Sequence, residues 1–183
     1  MPIALPPGED VAIPYSNFAF HVSMEPVGSS FAPGQGVDAA LLGAFSDISG
    51  LEAMMEHKVI KAGGRNYGAY VRTGPVSFGT VVLKRGVVKA QFLWRWWSMF
   101  AGADGATDGL PIPMNRGNIL IGLIRAMDQG DTKPELKVRL GWRLKDAMPV
   151  KFRIGDLNAK GSDVAVEELH LVHEGLEMSG VVS

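Results

Sequence analysis

The sequence predicts a mainly β fold, an antiparallel β-barrel or two-sheet sandwich with one flanking α-helix. Three observations predict it. Apolar and polar residues alternate over several short runs, the period of a half-buried strand. Turn formers punctuate those runs, with 23 Gly and 11 Pro in 183 residues. One segment stands out by placing its large apolar residues at helical spacing instead.

Taken in order, residues 1–16 read as an extended N-terminal arm, because Pro2, Pro6, Pro7 and Pro14 are incompatible with a helix. Phe18, Phe20, Val22 and Met24 then alternate with Ala19, His21 and Ser23, a strand that Pro26 ends. Residues 27–41 are rich in Gly, Ser and Pro and read as a long loop. Gly50 divides the next β-like stretch into 44–49 and 51–60. The second piece fits a strand or a helix, since Leu, Glu, Ala and Met favour helices. Residues 61–77, with Gly63, Gly64, Gly68 and Gly74, read as a flexible loop able to order on assembly. A strand over 78–84 follows, closed by Arg85-Gly86.

Leu93, Trp96, Trp97 and Phe100 fall at i, i+3, i+4 and i+7, which makes one apolar helical face, and Gly102 is its stop. Residues 101–115 form a second long loop. Strands are then expected over 117–127, 136–145, 150–154 and 164–171, the last two separated by a polar turn at 156–161. The total is about seven or eight strands around one helix, in a single domain over 17–178 with a short tail at 179–183.

Composition narrows the function classes. The hydrophobic fraction of 46% supports a real core. A formal net charge of −1, from 18 Lys and Arg against 19 Asp and Glu, leaves no global footprint for nucleic acid or an anionic membrane. With no Cys, disulfides, thiolate nucleophiles and Cys-ligated metals are excluded. The first ten residues lack the basic start of a signal peptide, and prolines interrupt their apolar stretch. No apolar run approaches the roughly 18 residues of a membrane helix, so no membrane anchor is expected.

Candidate sites are weak. His170 and His173 lie three apart in a strand-like run, where they face opposite sides, unlike the four-residue helical spacing of a zinc protease. They read as surface or interface histidines. The run 63–68 has glycines but lacks the Lys and Ser/Thr of a phosphate loop. Glu167 and Glu168 point to opposite faces, and like Glu52 and Glu56 they read as solvated residues or intersubunit ion pairs. Trp94 lies off the apolar face of the helix and reads as an exposed interface anchor. No catalytic constellation, metal site or cofactor site is expected.

Several motifs, in order and spacing, carry a resemblance. They are Phe18-Ala19-Phe20-His21-Val22, Phe45-Ser46-Asp47-Ile48-Ser49-Gly50-Leu51-Glu52, Val82-Leu83-Lys84-Arg85-Gly86 and Leu93-Trp94-Arg95-Trp96. Pro149-Val150-Lys151-Phe152, Asp156-Leu157-Asn158-Ala159-Lys160-Gly161 and the run from Val166 to Leu176 complete the set. Over about 17–178 the chain resembles the tail-tube proteins of contractile phage tails and related contractile injection systems. Their architecture is shared by the haemolysin-coregulated protein of type VI secretion.

The resemblance implies a structural, non-enzymatic subunit that forms hexameric rings, stacked into a hollow tube inside a contractile sheath. The alternative it leaves open is an adaptor ring that joins the spike hub to the tube. Implied partners are copies of itself, sheath, spike and baseplate proteins, a tube-terminating cap and lumenal cargo. The implied location is the cytoplasm during assembly, then a particle or virion tail released by lysis. The segment matching 45–74 is implied to reach neighbouring subunits. Assembly contacts are therefore expected at Phe45, Ser49, Gly50, Leu51, Glu52, Arg65, Tyr67, Trp94, Asp156, Asn158 and Lys160.

Overall fold

The computed structural model describes residues 19–27, 41–88, 91–103, 116–124, 138–156 and 165–179. In chain order these form β1 (Ala19–Pro26), β2 (Leu41–Phe45), β3 (Asp47–Ser49), β4 (Ala53–Ile60), β5 (Tyr70–Phe78), β6 (Val81–Gly86), α1 (Phe92–Ala101), β7 (Gly117–Ile124), β8 (Val138–Ile154), β9 (Val166–Val172) and β10 (Gly175–Ser179). The expected N-terminal arm, most of the 27–41 and 101–115 loops, Asn158, Lys160 and most of the C-terminal tail lie outside the described residues.

One continuous path of antiparallel strands, β2-β1-β7-β8-β9-β6-β3, makes a barrel of two sheets. Strand β8 belongs to both. Its first part pairs with β7 on one side and β10 on the other, and its last part pairs with β9. The partner edge turns the same corner, since β9 gives way to β10 at His173 and Glu174. There the Glu174 amide donates to the Lys145 carbonyl at 2.9 Å.

Asp146, at φ 47°, sets the bend in β8, and its amide donates to Asn118 Oδ1 at 3.2 Å. A register shift between Pro149 and Lys151 follows. A strand that changes sheets needs this kind of bend or bulge, and a bulge is where proline is tolerated within a sheet. At the opposite corner β2 and β3 are separated by Ser46 alone. Its amide and hydroxyl both donate to the Lys84 carbonyl, at 2.9 and 3.1 Å, so the two edges of the barrel are joined by the chain itself.

Alternation builds the interior. Along β6, Val81, Leu83 and Arg85 face inward; along β9, Glu167, Leu169 and Leu171 do. Val22, Met24, Leu42, Phe45, Ile119, Ile121, Leu144 and Ala147 complete the barrel's side of the core. Helix α1 packs against β8 and adds Leu93 and the fully buried Trp96. It ends as its sequence requires: Gly102 adopts φ 68°, and the next amide, Ala103, donates to the Ser98 carbonyl at 2.8 Å.

The sequence reading needs four corrections. Residues 70–78, taken as part of a loop, form a strand, while the strand reading of 51–60 holds over Ala53–Ile60. The strands expected over 136–145 and 150–154 are one strand of 17 residues. The stretch 78–84 is interrupted at Gly79-Thr80. Glu167 is not a solvated residue but points into the barrel.

Candidate assembly surfaces

Strands β4 and β5 form a sheet of their own. Every residue of β4 is exposed, as is every residue of β5 except Gly74 and Phe78. The eight residues of β4 carry the hairpin roughly 27 Å outward at the antiparallel rise. Register and alternation give it two unlike faces. Ala53, Met55, His57 and Val59 share one face with Val71, Thr73, Val76 and Phe78, which carries no Lys, Arg, Asp or Glu. Met54, Glu56, Lys58 and Ile60 share the other with Tyr70, Arg72 and Ser77. Lys58 and Arg72 are direct cross-strand partners, and like charges so opposed destabilise a hairpin. At the tip the Arg65 guanidinium lies over the Tyr70 ring at 4.1 Å, and Tyr67 is 97% exposed. A lone two-stranded ribbon is marginal in water. This one leaves both its faces open.

The root of the hairpin is tightly built. Gly50 sits at φ 81°, and a Cβ there would stand 2.0 Å from the Thr80 carbonyl oxygen. The Gly79 amide donates to the Glu52 carbonyl at 3.0 Å. Phe78 packs against His173 of the barrel, ring centroids 5.1 Å apart. His173 is buried, and burial, partly offset by a hydrogen bond with the Gly175 backbone, lowers its pKa below the ordinary 6.5. Burial lowers that of His21 as well. His170 instead faces outward, 3.7 Å from the Glu168 carboxylate.

Inside the barrel, Arg85 Nε donates to Glu167 Oε1 at 2.6 Å, and its Nη1 donates to the Leu42 carbonyl. The same guanidinium lies 5.3 Å from the centre of the Phe45 ring. Arg85 thus ties β2 of one sheet to the β6–β9 pair of the other. Residue reading missed this pair, although Glu167 has the same parity as Leu169 and Leu171, a signal that it turns inward.

On the outer side, Trp94 is 43% exposed and meets Phe152 edge-on at 5.4 Å. With Val87, Val88, Gln91 and Ile154 they line an apolar groove of about 700 Å³. Several other barrel charges pair locally. Lys84 meets Asp47 at 2.8 Å and Lys145 meets Glu177 at 2.5 Å, while Arg143 pairs with Glu25 and Arg116 with Glu174.

The expected assembly residues therefore separate into groups. Arg65 and Tyr67 sit together at the hairpin tip. Ser49, Gly50, Leu51 and Glu52 form the passage from β3 to its root, with Leu51 packed on the core. Phe45 is 3% exposed and serves the interior. Trp94 and Asp156 are exposed elsewhere on the barrel. No group of three or more His, Asp or Glu among the described residues is placed to hold a metal ion. Nor is any helix among them long and apolar enough to cross a membrane.

A family model described as T4-like virus tail tube protein gp19 matches residues 16–177. The chain belongs to this tail tube family. Curated protein sequences give no match. Among solved structures, a chain of the anti-feeding prophage baseplate, 6-fold symmetrised, is similar at TM-score 0.66 and 23% identity, covering 94% of this chain and 100% of that one. A chain of the PVC extracellular contractile injection system, in its extended sheath–tube complex, has TM-score 0.65 and 20% identity over 93% of this chain and 95% of that one. The crystal structure of an Hcp protein has TM-score 0.52 and 9% identity over 90% and 94%. These likenesses bear out the expected mainly β tube fold with one helix.

Proposed function

We propose that this tail tube protein is a main tube subunit of a contractile injection particle or contractile phage tail. Copies close into hexameric rings, and the rings stack head to tail into a hollow tube. One observation carries the reading: a closed barrel presents a long hairpin whose strands, beyond the root at Phe78, are exposed along almost their whole length. Heterologous contacts of this kind close into rings or propagate into stacks. The tail tube family supports a tube subunit over an adaptor ring.

In this reading the domain spans 17–178, with residues 1–16 and 179–183 as extensions. The hairpin with its root, from Ser49 to Phe78, reaches a neighbouring copy through Arg65 and Tyr67. Trp94, Asp156, Asn158 and Lys160 contact other subunits. The sheath–tube, baseplate and tube-cap structures among the similar folds support sheath, spike, baseplate and cap proteins as partners, with cargo in the lumen. The protein would be stored in the cytoplasm during assembly and leave in the particle by lysis. Its role is mechanical and involves no catalysis.

Negative-stain microscopy of the purified full chain, concentrated alone and with its sheath and spike proteins, tests this. Rings or tubes of uniform diameter are expected. A strict monomer under every condition would contradict it.

A further inference from the structure

The hairpin differs from the barrel in how its charges are satisfied. Between Ala53 and Phe78 it carries Lys58, Lys61, Arg65 and Arg72 against the single carboxylate of Glu56, a net charge of +3. The whole chain is at −1, which leaves −4 for the remainder. Among the described residues, none of the four hairpin cations makes an ion pair. Six barrel cations do, namely Lys84, Arg85, Arg116, Arg143, Lys145 and Arg153, while Arg95 and Lys151 make none among the described residues. Lys58 and Arg72 face each other directly across the ribbon, and Glu56 on the same face pairs with neither. Among the described residues the opposed pair thus has no ion-pair partner to offset its repulsion.

We infer that the cationic face of this hairpin docks on carboxylates of a second copy of this chain, so that the joint between copies is electrostatic. The inference rests on the tube reading above and names the chemistry of its contact. Charge complementarity favours a second copy: the hairpin is positive and the rest of the same chain is negative. Among the described residues, Glu52 and Asp156 are the acceptors the barrel offers. Both are exposed, and among the described residues neither is paired with a cation. Asp146 is also unpaired but half-buried at the bend of β8. The other exposed or half-exposed barrel carboxylates among the described residues, Glu25, Asp47, Glu168, Glu174 and Glu177, are paired with arginines and lysines of the barrel. Docking would place an acid against Lys58 and Arg72 and turn their mutual repulsion into attraction for the partner. The uncharged face, with Met55, Val59, Val71 and Val76, would be covered in the same step.

The test measures the concentration at which half the full-length protein sediments as assembly, at 0.1 M and 1 M NaCl. Over that range the screening length shrinks from about 10 Å to about 3 Å. Wild type is expected to need on the order of tenfold more protein at 1 M, equivalent to about 1.4 kcal/mol. The variants K58Q/R72Q and E52Q/D156N should each need on the order of tenfold more than wild type at 0.1 M and lose most of the salt dependence. K58R/R72K should behave as wild type. Unchanged melting temperatures establish that the variants fold.

If wild type assembles equally at both salts, or either neutralised pair assembles as wild type does, the electrostatic joint is wrong while the tube reading stands. If wild type assembles under no condition, the tube reading itself fails. Assembly that nuclease treatment abolishes would assign the cations to nucleic acid and overturn the inference.

Discussion

The barrel and the hairpin are made of the same kind of strand and are completed in opposite ways. The barrel closes on itself. Its sheets share β8, its edges meet through Ser46, and its six paired cations find carboxylates within the chain. Even the charge it buries, Arg85, has Glu167 and the Leu42 carbonyl as partners. The hairpin keeps its backbone ladder but has neither an apolar face covered nor a cation paired among the described residues. The difference teaches that stability and assembly reside in different parts of this molecule. Substitutions should therefore separate into those that melt the barrel and those that spare it.

The largest expected effect is in the barrel. Trp96 is fully buried between α1 and β8, and Trp96→Ala should cost about 3–5 kcal/mol. At 2–4 °C per kcal/mol for a domain of this size, that is a fall in Tm of roughly 10 °C. Differential scanning calorimetry reads it directly.

Next is Glu167→Gln, which leaves the Arg85 guanidinium buried beside a neutral acceptor. A loss of about 1.5–3 kcal/mol is expected in urea unfolding. If it proves harmless, the contrast between a self-satisfied barrel and an unsatisfied hairpin loses its strongest element.

Gly50→Ala probes the joint between the two regions. Its left-handed backbone disfavours a side chain by about 1–2 kcal/mol, and the Cβ would run into the Thr80 carbonyl. The clash adds to that strain, and assembly should fall further than the change in stability accounts for, because the direction of the hairpin depends on this passage. Sedimentation and thermal unfolding of the same sample separate the two effects.

The smallest effect follows from His173. Its folded pKa is lowered, so the folded protein binds less proton there than the unfolded chain. Its contribution is intact above pH 6.5, the ordinary His value, and is lost as the pH drops below it. His173→Phe should flatten the slope of stability against pH below pH 6.5. A slope identical to wild type would remove His173 from the account.

The two regions also differ in how legible they were. The helix could be read from Leu93, Trp96, Trp97 and Phe100 because one face is buried and the other is not. Strands β1, β6 and β9 could be read for the same reason. Strand β5 was missed because a ribbon exposed on both faces has no reason to alternate, and Gly74-Pro75 at its register shift looks like a turn. Pro149 concealed the continuity of β8, since a proline within a strand is allowed only at such irregularities. Among the expected contact residues, Arg65 and Tyr67 did fall together at a tip. Phe45 went to the core because it lies under Arg85, a long-range partner that nothing in its local sequence announces.

The central claim is that the barrel is complete in one copy and the hairpin only in the assembly. Amide hydrogen exchange, followed by mass spectrometry on monomer and assembled particle, tests it most directly. Residues 53–60 and 70–78 should exchange rapidly in the monomer and slow by on the order of a hundredfold or more on assembly, while β6, β8 and β9 are protected in both. A hairpin already protected in the monomer, or one that still exchanges freely in the assembled particle, would contradict the claim.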